Sequence, residues 1–217
     1  MSLRLEAWMI GDDTDAPYHP LEPALKAMQE ILQEEFDVTG TEDYDAFARL
    51  EPSRLPLCIS YTDCWLRSGP TPEQTAGLLR YVAGGGGLLV VHTGISIQAS
   101  YELAQMVGGK FTTHPPYQPL KYVPAGDGHP LMDGVAPFEM DEEPYMFELD
   151  SFSPRNVFLE YEFEGARIPA GWEQRYGLGR VVYLQPGHNA SSFQVEPYRR
   201  LIRNSARWAA SVEGGKE

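Results

Sequence analysis

Four consecutive aliphatic residues, Leu88-Leu89-Val90-Val91, stand between a run of four glycines, Gly84 to Gly87, and the polar turn His92-Thr93-Gly94. A run this short, with no polar alternation, is buried on both faces, as strands of a parallel sheet are. The residues before it read as a helix. Thr71 suits an N-cap, Pro72 the first turn and Gln74 the far side of a capping box, and Leu78, Leu79 and Val82 form an apolar face. Helix, glycine stop, buried strand and polar turn make up part of a βαβ unit. The glycines are not a phosphate loop, because such a loop follows a strand and opens a helix. Here the order is reversed, and no nucleotide cofactor is expected.

The rest of the chain extends this pattern. Residues 3–10 read as a first strand, and Leu57-Cys58-Ile59-Ser60-Tyr61 as another buried one. Leu21, Leu25, Met28, Leu32 and Phe36 recur at helical steps. A further helix covers residues 97–107 and stops at Gly108-Gly109. Residues 110–141, rich in Pro, Gly and His, read as loops and short strands over one end of the sheet. Strands follow at 157–163, 168–176 and 180–184, the last two flanking Gly177-Leu178-Gly179 as a hairpin. Tyr198, Leu201, Ile202, Ser205, Trp208 and Val212 mark a C-terminal amphipathic helix. The expected fold is a single three-layer α/β domain over residues 1–217, with a mainly parallel central sheet and an added antiparallel hairpin.

Charge narrows the partners. Seventeen basic residues against 31 acidic ones give a net charge of -14. Such a surface repels phosphate backbones and anionic lipid, so nucleic acid and membrane are not expected partners. There is no apolar leader and no run of 18 apolar residues, which points to a cytoplasmic protein. Cys58 and Cys64, six apart, read as ordinary reduced residues.

In open α/β sheets ligands bind beyond the carboxyl ends of the strands. His92 ends one predicted strand, and His188, in Gln185-Pro186-Gly187-His188-Asn189, ends another. Asp12 and Asp13 follow the first strand, and Thr62 and Asp63 follow the Cys58 strand. His114 lies in a loop, as do Glu142, Glu143 and Tyr145. His19 before Pro20 and His129 in Gly128-His129-Pro130 read as turn residues. Histidines with a carboxylate suit a zinc-type site, and equally general acid–base work near neutral pH.

Several stretches resemble the ThuA (trehalose utilisation) family: residues 79–94 with the glycine run, strand and His92-Thr93; Gly108-Gly109-Lys110-Phe111 with His114-Pro115; Gly128-His129-Pro130-Leu131-Met132-Asp133-Gly134-Val135; Glu142-Glu143-Pro144-Tyr145; residues 179–188; and residues 204–209. The first fifty residues are less similar. Some members carry a histidine-containing segment after strand 1, where this chain reads Gly11-Asp12-Asp13-Thr14-Asp15, with His19 later. The resemblance implies a flavodoxin-like, class I glutamine amidotransferase-like fold. In amidotransferases a cysteine occupies the turn after a central strand. Here the turn carries His92, so the thioester route lacks its nucleophile.

The resemblance also implies a small-molecule carbohydrate partner, a trehalose-like disaccharide or keto-sugar, and metal-assisted or acid–base chemistry. His92, Glu143, Tyr145 and His188 are the implied catalytic residues. His92, His114, Glu143 and His188 would hold one divalent metal, zinc or similar. Asp12, Thr93, His129 and Trp172 would bind substrate. A non-catalytic metabolite-binding or regulatory module with the same pocket is the alternative, and a subunit positioning an oxidoreductase is a third reading. Whether the chain forms a homo-oligomer is left open.

Overall fold

The computed structural model describes residues 3–211; Val212, assigned above to the last helix, lies outside them. One sheet of nine strands dominates, in the order β2-β1-β3-β4-β11-β10-β9-β6-β7. Its parallel half consists of β1 (Leu5–Gly11), β2 (Phe36–Thr41), β3 (Leu57–Tyr61), β4 (Gly87–Val91) and β11 (Gly179–Leu184). Both β3 and β4 are buried at every residue, as their unbroken apolar runs require.

The other half contains the expected hairpin and extends it, so the sheet is mixed rather than parallel with a hairpin alone. Strands β10 (Ala166–Tyr176), β9 (Asn156–Phe163), β6 (Gln118–Pro124) and β7 (Phe138–Glu142) continue the same sheet, all antiparallel. Strands β6 and β7 fall in the segment read above as loops and short strands. Pro119, Pro124 and the charges Lys121, Glu139 and Asp141 mask their periodicity. A separate two-stranded ribbon pairs β5 (Gly109–Thr113) with β8 (Met146–Leu149).

Helices cover both faces. Helix α1 (Leu21–Leu32) and α5 (Glu196–Ala209) pack on one side, over Ala7, Met9, Ile59, Val91, Val182 and Leu184. Short α2 (Ala46–Arg49), α3 (Pro72–Ala83) and α4 (Tyr101–Val107) pack on the other, over Ile10, Cys58, Val90 and Tyr183. Alternate residues of each strand serve the two cores. The capping box at Thr71 and Gln74 is formed on both sides. Phe36 opens β2 rather than closing α1, and residues 92–99 form a 3-10 segment ahead of α4. Among the described residues no helix is long and apolar enough to cross a membrane.

Candidate metal and substrate site

The site is built at the carboxyl ends of the parallel strands. Strand β4 ends at Val91, and the next residue, His92, turns the chain with φ of 46°. This left-handed conformation is uncommon for a residue with a Cβ. It is held by close packing just beyond: a Cβ on Gly94 would lie 2.0 Å from the Ser60 carbonyl oxygen, so only glycine fits there. The turn points the His92 ring inward, fully buried. His92 Nδ1 lies 2.7 Å from the Gln185 carbonyl oxygen, an acceptor only, so Nδ1 carries the proton and Nε2 presents a lone pair.

The loop after β11 supplies His188. Each of its supports is a buried polar group. Tyr61 donates to the Gly187 carbonyl at 2.7 Å and Tyr198 to the Pro186 carbonyl at 2.6 Å. Gln185 Nε2 donates to the Glu143 carbonyl at 2.6 Å, and Tyr122 donates to Gln185 Oε1 at 2.8 Å. Glu142, wholly buried at the end of β7, accepts from Gly187 N at 2.8 Å, from His188 N at 3.3 Å and from the Ser192 hydroxyl. Burial pushes the Glu142 carboxyl up to about 7 despite these donors. Glu142 therefore anchors the turn, while its neighbour Glu143 faces the histidines.

His19 completes the set. It was read above as a turn residue, yet the loop between β1 and α1 folds it back. Glu42 accepts from Asp13 N at 2.9 Å and from Thr14 N at 2.8 Å, and Asp13 accepts from Glu22 N at 2.8 Å in the first turn of α1. The ring that results is buried, with its centroid 4.9 Å from both His92 and His188. The His92 and His188 rings are 5.5 Å apart.

One ligand atom from each of His19, His92, Glu143 and His188 lies within 4.8 Å of the others. Glu143 Oε2 is 3.2 Å from His188 Nδ1, 3.5 Å from His92 Nε2 and 3.9 Å from His19 Nε2. His19 Nε2 and His188 Nδ1 are 3.0 Å apart. Zinc–ligand bonds of about 2.0–2.1 Å make a tetrahedron with edges of about 3.3–3.4 Å, so the spacing fits a divalent cation. The charges fit as well. Burial pulls His92 down to about 4, which leaves it neutral. Burial works against ionised Glu143, but the facing His188, His19 and His92 rings outweigh it and hold the carboxyl well below the usual range. Burial likewise opposes the charged form of His19, and Asp63 and Glu143 overcome it, raising its pKa.

The cluster opens into a cavity of 290 Å³ lined by Tyr18, His19, Trp65, Phe111, His114, Glu143 and Tyr145. Tyr145 stacks on His92, centroids 4.4 Å apart. Burial keeps its hydroxyl protonated far past 10.

Five of the expected site residues lie outside the four-residue cluster. His114 stands at the rim, partly exposed, with Nδ1 2.9 Å from the Pro115 carbonyl and 3.7 Å from Glu143 Oε1; it is not one of the four clustered groups, and His19 takes its place. Asp12 is fully buried and its carboxylate is already used, by Tyr44 at 2.5 Å, Asp63 N at 2.7 Å and Arg67. Thr93 is buried between Trp65 Nε1, at 3.0 Å, and Asp63 Oδ1, at 3.2 Å. Trp172 sits in the core and donates to the Val107 carbonyl at 2.7 Å. His129 packs on Phe158 and faces Glu173 at 3.8 Å, away from the cavity lining. The sequence signal for His19 was its place after the end of β1, the same argument that picked out His92. Glu142 and Gln185 carry no such signal, since they act by holding others.

The comparisons with known proteins agree with this architecture. The sequence profile of the family described as trehalose utilisation matches residues 11–209. The chain belongs to the ThuA family. A putative ThuA-like protein from Parabacteroides merdae superposes with a TM-score of 0.81 at 16% identity, over 99% of this chain and 93% of that one. One from Bacteroides uniformis gives 0.78 at 18%, over 97% and 93%. A β-galactosidase from Bacillus circulans gives 0.57 at 14%, over 94% of this chain but 31% of the enzyme. At these identities the likeness is one of fold. Among curated proteins none matches. In this ThuA-family chain both cysteines are free and buried, and His92 holds the turn after β4.

Proposed function

We propose that this ThuA-family protein is a cytoplasmic, metal-dependent enzyme acting on an uncharged carbohydrate, a disaccharide or keto-sugar. The observation that carries the reading is the convergence of three imidazoles and one carboxylate on a cavity walled by Tyr18, Trp65, Phe111 and Tyr145. His19, His92, Glu143 and His188 would hold the cation. When bound, a divalent cation supplies Lewis-acid polarisation of a carbonyl or hydroxyl oxygen. The aromatic walls offer apolar faces against which the C–H face of a pyranose packs, and they exclude water. Among the described residues no lysine or arginine lines the cavity, which disfavours phosphorylated sugars. Tyr145, kept protonated, donates a hydrogen bond to a sugar oxygen. His114 at the rim can pass a proton between the cavity and solvent.

A second reading, a metabolite-binding module without turnover, draws on the ligand count. Four protein ligands saturate a tetrahedral zinc, as in structural sites, whereas catalytic zinc keeps an open position. Metal analysis of the purified protein and of His92→Ala comes first. The enzyme reading expects one first-row metal per chain, lost in the variant. Incubation with oxidised disaccharides, followed by NMR, then expects new products that disappear in the variant. A protein that holds sugar unchanged supports the module, and a metal-free protein refutes the metal site.

A further inference from the structure

The site contains a buried carboxylate that neither faces the cavity nor joins the cluster. Asp63, on the loop after β3, is 5% exposed. Its main-chain N donates to Asp12 at 2.7 Å, and Asp12 is in turn neutralised by Arg67. The two carboxylate oxygens of Asp63 look in different directions. Oδ1 accepts from the Thr93 hydroxyl at 3.2 Å. Oδ2 stands 3.4 Å from His19 Nδ1, a buried atom that makes no hydrogen bond among the described residues.

These contacts have a direction. An indole N–H only donates, so Trp65 Nε1, 3.0 Å from Thr93 Oγ1, must be the donor there. The single Thr93 hydroxyl proton is then free to point only onward, to Asp63. An ionised carboxylate only accepts, and a lone pair on His19 Nδ1 facing it would be repelled. Neutral His19 must therefore carry its proton on Nδ1. The far side of the ring agrees. In the metal-free protein His188 Nδ1 lies 3.0 Å from His19 Nε2 and 3.2 Å from Glu143 Oε2, so one proton on His188 Nδ1 serves both acceptors, and a cation bound at Nδ1 would replace it.

We propose that Asp63 is a positioning residue that locks His19 in the Nδ1–H form and aims its Nε2 lone pair into the cluster. The polarity of that lock is set from the cavity wall by Trp65 acting through Thr93. The tautomer stands on the placement of the Asp63 carboxylate beside His19 Nδ1; its consequence for a cation rests on the metal-site reading. Outer partners of metal-bound histidines are worth about 10- to 100-fold in metal affinity. Asp63→Asn keeps the shape and reverses the logic. With its amide oxygen toward Thr93, the NH₂ group donates to His19 Nδ1, pushes the proton to Nε2 and removes the ligand lone pair.

Two measurements test this. ¹⁵N-resolved NMR of the metal-free wild-type protein, titrated upward until the His19 ring is seen to be neutral, should show the Nδ1–H tautomer; an Nε2–H tautomer overturns the proposal without any variant having to fold. Titration of wild type and Asp63→Asn with Zn²⁺ against a chromophoric chelator should show a loss of about 10- to 100-fold in the variant, accompanied by the switched tautomer. Equal affinity with an unchanged tautomer overturns the proposal. Should the wild type take up no Zn²⁺, the metal reading fails, while the NMR result still decides the role of Asp63.

Discussion

Replacing Glu142 by glutamine separates its two structural effects, because they depend differently on pH. At the end of β7 the carboxylate receives Gly187 N, His188 N and the Ser192 hydroxyl. A glutamine can keep the oxygen that serves Gly187, Ser192 and, at 3.3 Å, His188 N, but its NH₂ then replaces the second oxygen, 3.4 Å from the His188 amide, and that donor loses one of its two acceptors. Such a loss costs about 1–3 kcal/mol. The second effect is ionisation. The wild-type carboxyl titrates near 7 in the fold against 4.5 when unfolded. Between these values the native state binds more protons than the unfolded state, so stability is fully present below pH 4.5 and is lost as pH rises through 7. The interval is worth about 3 kcal/mol. Glutamine has no such titration. The variant should therefore be less stable than wild type by about 1–3 kcal/mol at pH 5 and should draw level with it, or pass it, by pH 8. Urea unfolding of chelator-treated protein at several pH values measures the difference, and the other titrating groups cancel to first order. A stability gap that stays constant from pH 5 to pH 8 would refute the argument that burial governs Glu142.

Burial acts on His92 with the opposite sign. Its folded pKa near 4, against 6.5 unfolded, makes its contribution full above pH 6.5 and lost as pH falls through 4, by about 3 kcal/mol in the metal-free protein; His92→Gln should flatten that part of the pH–stability curve, and an unchanged curve would contradict a buried neutral imidazole. At Gly94 an added methyl carbon meets the Ser60 carbonyl at 2.0 Å, so Gly94→Ala should lower stability by about 1–3 kcal/mol or more and weaken Zn²⁺ binding through the displaced His92 turn. A variant with the wild-type melting temperature would show that the turn has room to spare.

Four strands of the parallel half, β1, β3, β4 and β11, were legible because each is a short apolar-rich run ended by a turn or helix signal, and such runs need only local burial to be recognised; β2, Phe36-Asp37-Val38-Thr39-Gly40-Thr41 with alternate residues in water, was not. For the same reason His92 and His188 could be placed at strand ends before any coordinates. In the antiparallel half β9 and β10 were legible, with the hairpin at Gly177-Leu178-Gly179, but β6 and β7 were not. Lys121, Glu139 and Asp141 line strands with one face in water, and the prolines in β6 look like loop residues. What brings Glu142 and Glu143 to the site is equally non-local. Strand β7 lies four places from β11 in the sheet, about 19 Å away if the sheet were flat, yet Glu142 bonds directly to Gly187 after β11. Sheet twist and curl close that gap, and no spacing in the chain records them. Competition between histidines was settled in the same way. His19 and His114 both lie in loops, and only the packing of the loop after β1 against Glu42 and Asp13 decides that His19 enters the cluster while His114 stays at the rim. Asp12, Thr93 and Trp172 carry polar groups that a sequence reader assigns to substrate, but in the fold buried neighbours consume them. Local hydrophobic pattern, then, determined which apolar strands exist and where they end; which polar groups meet was decided by tertiary packing, because satisfying buried donors and acceptors depends on partners far away in the chain.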